Sequence, residues 1–157
     1  MKKLLFALIA LLTFAGCSTP NRMVYSSGFS FANYDYAFVS KMDGASTALY
    51  GTDIEFANLL SRYNIKIVGD KEFTSLPKEA QARTMYARVS ISVSGKLITL
   101  SVSFDDAVTG KTGANFTTFG KGKILDGKAR EKIFEDVSRM ITKAISEDKK
   151  LVVRDMK

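Results

Sequence analysis

The chain has 157 residues, with 23 lysines and arginines against 16 acidic residues, a single cysteine and no histidine. That length suits one domain, and one cysteine excludes an internal disulfide framework. Without histidine there is no imidazole acid–base chemistry and no usual base for a catalytic thiol. The lysines are scattered, and the densest cluster, "GKGKILDGKAREK", leads into a helix rather than forming the concentrated, aromatic-interleaved stripe of a nucleic-acid footprint.

The first element in chain order is a secretion signal. Met1-Lys2-Lys3 is a charged start, and Leu4 to Gly16 follows with Thr13 as its only polar side chain. Thirteen helical residues span about 20 Å, short of a hydrocarbon core of roughly 30 Å, so the run does not read as a transmembrane anchor. Ala15 and Gly16 offer compact side chains to a signal peptidase. A buried apolar cysteine is the common alternative for a lone Cys, but Cys17 stands at the end of this apolar run.

The stretch Phe14–Cys17, "FAGC", resembles the lipobox of bacterial lipoproteins, with Phe14 where a smaller aliphatic residue is usual. The resemblance implies lipidation of the Cys17 sulfur by a diacylglyceryl group, as well as signal cleavage between Gly16 and Cys17. Two acyl chains suffice for stable anchoring. Ser18, rather than a retaining Asp, follows the anchor, and no acidic run comes after it. The expected location is therefore the periplasmic face of the outer membrane. The signal holds two of the 23 basic side chains and none of the acidic ones, so the 141 remaining residues carry 21 basic against 16 acidic groups.

Residues 17–28 are expected to be the lipidated cysteine and a tether, reaching at most roughly 35 Å, with a domain over 29–157. Tyr34–Ser40, aromatic and β-branched, predicts the first strand, and "KMDGAST" a turn. Thr52 three residues before Glu55 has capping-box spacing. The helix behind it would bury Ile54, Ala57 and Leu60, flanked by Leu59 and Tyr63. Asn64–Gly69 reads as a short strand that completes a β-α-β unit. "SLPKEAQA" predicts a helical turn capped by Ser75.

Strict alternation follows. Met85, Ala87, Val89, Ile91 and Val93 interleave with Tyr86, Arg88, Ser90 and Ser92. After Ser94-Gly95, the side chains of Ile98, Leu100, Val102 and Phe104 alternate with Thr99, Ser101 and Ser103. This predicts a hairpin with one buried face. "ANFTTFGKG" reads as a weaker third strand. From about Gly127 to Glu147, Ala129, Ile133, Val137, Met140 and Ala144 form an apolar stripe, with Asp126 a candidate cap. The predicted fold is α+β: a β-α-β unit, a three-stranded antiparallel meander and a C-terminal helix packed on one sheet. The serine-rich face is either solvated sheet surface or a partner groove.

"FSFANYDYAFV" and "LITLSVSFDDAVTGKTGANFTTFGKG" resemble, in this order, segments of small envelope lipoproteins of unknown function. They are also similar to the α/β domains of the curli-secretion lipoprotein and of lipoprotein activators of peptidoglycan synthases, although the tryptophan often found after the Thr-Gly-Lys turn is missing. The resemblance implies a non-enzymatic envelope component that binds another protein or a wall polymer such as peptidoglycan. No cofactor is expected, and the scattered charge gives no reason to expect a nucleic-acid partner.

Few residues suggest chemistry. Asp53 and Glu55 are two apart on a helix and suit its first-turn dipole. Asp70-Lys71-Glu72 reads as a turn after a strand. "TGKTG" lacks phosphate-loop spacing, and "NFT" matches a glycosylation acceptor only by chance in a bacterial strand. In "FDDAVTGKTG", Asp105 and Asp106 could ligate a hard cation. They read instead, with Gly110, as a structural turn: Asp caps turn amides and Gly110 tolerates a positive φ. The leading function is a lipid-anchored, non-catalytic interaction module. The alternatives are a carboxylate-dependent glycan hydrolase and a purely structural membrane-to-wall tether.

Overall fold

The computed structural model describes residues 21–40, 51–122 and 127–155. Gly16, Cys17, the "KMDGAST" turn and Asp126 lie outside them. The chain is α+β, as its pattern predicts. Six strands form one mixed sheet in the order β1-β6-β5-β4-β2-β3. They are β1 (Arg22–Tyr25), β2 (Tyr36–Val39), β3 (Lys66–Ile67), β4 (Thr84–Ser94), β5 (Leu97–Asp106) and β6 (Thr112–Lys121). Helix α1 (Thr52–Ser61) joins β2 to β3, which pair in parallel, and α2 (Asp70–Ser75) and α3 (Lys78–Ala82) lead into β4. β4, β5 and β6 are the antiparallel meander, and α4 (Gly127–Asp155) closes the chain.

Period-2 alternation decides which face is covered. Met85, Ala87 and Val89 of β4 and Ile98, Leu100, Val102 and Phe104 of β5 are buried, as are Ile133, Val137, Ile141 and Ile145 of α4. Phe56 of α1 meets Phe134 of α4 edge to face, with ring centroids 5.0 Å apart. Both long helices therefore cover the same side. A 3-10 turn at Phe31–Asn33 seals one end of this core. Phe31 packs edge to face on Phe104 at 5.1 Å, and its backbone N–H donates to the Asp148 carboxylate of α4.

Local expectations change at three elements, β1, α1 and α2. Arg22–Tyr25, expected within the tether, adds β1 to the sheet by pairing with β6 from Arg22↔Thr117 to Tyr25↔Ala114. Helix α1 begins after Gly51, which sits in the left-handed region at φ 87° with no side-chain cap, so no capping box forms. Its buried face is Phe56, Leu59 and Leu60, whereas Ile54 is 58% exposed. Asp70-Lys71-Glu72 opens α2 instead of a turn, and Ser75 ends that helix, its hydroxyl donating to the Glu72 carbonyl. The expected third meander strand, β6, is present and lies between β5 and the added β1.

Candidate functional site

The face of the sheet turned away from α1 and α4 is built from the side chains that alternation sends away from the core. Over most of its area these are hydroxyls. Ser101 and Thr117 lie 3.1 Å apart across the β5–β6 pair, and Thr117 donates to Asn115 Oδ1. At the β2 end the chemistry changes. Phe38 of β2 is in register with Tyr86 of β4, and their rings stack at 5.1 Å. Asp105 stands opposite Tyr86, and Arg88 is its diagonal neighbour, a spacing long side chains bridge.

These groups line a cleft of about 390 Å³, completed by Asp70 and Phe73 of α2 and by Asp106, Ala107 and Gly110. An adjoining depression of about 590 Å³ shares Phe38, Asp70 and Tyr86 and continues over Val39, Ile67 and Val68. The two meet at the Phe38–Tyr86 stack.

The neighbouring carboxylates have different roles. Asp106 is the turn residue. Its Oδ1 accepts from the Val108 N–H, the Thr109 N–H at 2.7 Å and the Thr109 hydroxyl, while Oδ2 accepts from the Tyr34 hydroxyl. Partial burial works to raise its pKa, but these donors outweigh burial and hold it below the ordinary carboxyl value. Burial first, and then the Asp106 charge, push the Tyr34 phenol up. Gly110 donates its N–H to the Asp106 carbonyl at φ +69°, a left-handed conformation that favours glycine.

Asp105, expected beside Asp106 in the turn, is instead a strand residue, because β5 runs through it to Asp106. The β5–β6 register shifts between Phe104 and Asp105. Asp105 is 3% exposed. Its Oδ2 lies 2.7 Å from Arg88 Nη2, with the Arg88 side chain half exposed. Its Oδ1 is buried and has no hydrogen-bond partner among the described residues. Such an orphan costs about 1–3 kcal/mol, which makes it the feature here that most requires an explanation.

Asp53 and Glu55 do not join this cleft; Glu55 lies 4.0 Å from Arg130 on the helical side. Among the described residues no group of three cysteine or acidic side chains is placed to hold a metal ion. The sequence reading left out Phe38, Phe73, Tyr86 and Arg88. The available signal was Tyr86 and Arg88 interrupting the polar face that continues as Ser90 and Ser92. The convergence of β2 and α2 on them is tertiary.

No protein-family model matches the chain, and no curated protein matches it. Among solved structures, a PelC dodecamer from Paraburkholderia phytofirmans is similar, with 16% identity and a TM-score of 0.45 over 75% of this chain and 94% of that one. A single-substitution variant of the same dodecamer gives 17% identity and a TM-score of 0.46 over 75% and 95%.

Proposed function

We propose that this chain is a lipid-anchored, non-catalytic module of the cell envelope, on the periplasmic face of the outer membrane, that binds a wall polymer in the Phe38–Tyr86–Arg88–Asp105 cleft. The observation that carries the reading is the orphaned Oδ1 of Asp105 beside stacked aromatic rings. Sugar and peptide units of a polymer offer hydrogen-bond donors for that oxygen and apolar faces for the rings. Two depressions that share the Phe38–Tyr86 stack suit a ligand of more than one unit. The surrounding sheet face is mainly serine and threonine, and serine is depleted in the cores of protein–protein interfaces.

The two β5 carboxylates support binding over hydrolysis. A glycosidase needs a general acid held protonated by its surroundings, whereas Asp106 is held ionised by its turn donors and Asp105 is occupied by Arg88. Co-sedimentation with purified insoluble wall material tests the proposal. The wild type is expected to pellet with the wall, and Tyr86→Ala to lose at least tenfold in affinity while keeping its melting temperature within a few degrees. Failure of the wild type to pellet, or release of soluble wall fragments by it, contradicts the reading.

A further inference from the structure

We infer that the cleft receives a primary ammonium group carried by the wall polymer. This deepens the proposal above and rests on it. Three carboxylates line the cleft, Asp70, Asp105 and Asp106, against the single guanidinium of Arg88. Asp106 spends its oxygens on turn donors and Tyr34, so it contributes charge rather than a bond. Asp105 adds a carboxylate that Arg88 answers only at Oδ2; its Oδ1 has no hydrogen-bond partner among the described residues, and a protonated amine has three donors. Phe38, Tyr86 and Phe73 supply aromatic surface, and ring faces attract cations.

The other ligand classes fit less well. An anionic group would meet three carboxylates, and Arg88 already directs Nη2 to Asp105. A metal ion lacks a converging set of ligands among the described residues. A neutral hydroxyl would satisfy Oδ1 but leave the excess negative charge unmatched. Primary amines in a wall polymer come from two sources, a side chain of the peptide part or a deacetylated amino sugar.

The test uses the purified full chain in detergent with native wall material and with the same material N-acetylated by acetic anhydride. Acetylation removes the positive charge and leaves the polymer otherwise in place. Binding is expected to fall at least tenfold on acetylation. Asp105→Asn should lose a similar factor on native wall. The exposed Asp70→Asn, which has no part in the core, should lose two- to threefold and so keeps the test decisive if Asp105→Asn fails to fold.

Two soluble probes, Nα-acetyl-lysine amide and glucosamine, are titrated while the ring resonances of Phe38 and Tyr86 are followed. A response to the lysine derivative alone assigns a peptide amine, and a response to glucosamine alone assigns a sugar amine; either upholds the inference. Response to neither, or equal binding to native and acetylated wall, overturns it while leaving polymer binding intact. Absence of binding to both wall preparations overturns the polymer reading itself.

Discussion

Asp105 and Asp106 show how one step along a strand separates two carboxylates. Pleating turns them to different surroundings: an ion pair between buried Asp105 and half-exposed Arg88 for the first and a ring of turn donors for the second. Because the folded pKa of Asp106 lies below its ordinary value of 3.8, its contribution to stability is fully present above the unfolded carboxyl range and is lost as pH falls through the folded value. Asp106→Asn keeps an acceptor oxygen but no charge, so it should cost about 1 kcal/mol at neutral pH. Urea melts at stepped pH should show the gap to wild type closing below about pH 4. A gap that stays constant down to pH 2 would contradict the donor-held carboxylate. The buried pairing of Asp105 was hidden in the sequence, because it depends on Arg88, seventeen positions earlier and one strand away.

At the scale of elements, the meander and α4 were legible because their periodicity is long and uninterrupted. Alternation from Met85 to Phe104 named the buried face of β4 and β5 up to the hairpin tip, where Val93 is 47% exposed. Helix α1 was read with its apolar face misplaced. Ile54, Phe56, Ala57, Leu59 and Leu60 allow two stripes, and packing selects the one that brings Phe56 onto Phe134. The strand β1 was missed for a related reason: four residues with every side chain exposed have no burial pattern to announce them, and pairing with β6 alone makes them a strand. The α1 packing can be checked directly. Phe56→Ala, at 1% exposure, should cost about 3–5 kcal/mol, and Ile54→Ala within about 0.5 kcal/mol of zero. Thermal melts showing comparable losses would contradict the packed face.

For the whole molecule, β1 would shorten a lipid-anchored chain's link to the membrane. It begins five residues after Cys17, a stretch reaching at most roughly 18 Å, about half of what a free tether to Gly28 would allow. If Cys17 carries lipid, the open β1 edge, with Val24 62% exposed, is held close to the bilayer surface, while the cleft lies at the β2 end of the same sheet. The anchor has its own check. Cells grown with radiolabelled palmitate should label the wild-type chain and not Cys17→Ser, and equal labelling would remove the lipid from the account.

The claim that joins anchor, sheet and cleft is contact with the wall in the living cell. A photo-crosslinking amino acid placed at Phe38, inside the cleft, tests it, with the same group at the exposed Ser92 as control. After irradiation and boiling in detergent, the Phe38 variant is predicted to stay covalently attached to the insoluble wall and the Ser92 variant to be released. Release of both, or capture of the Phe38 variant by a protein alone, would contradict the account.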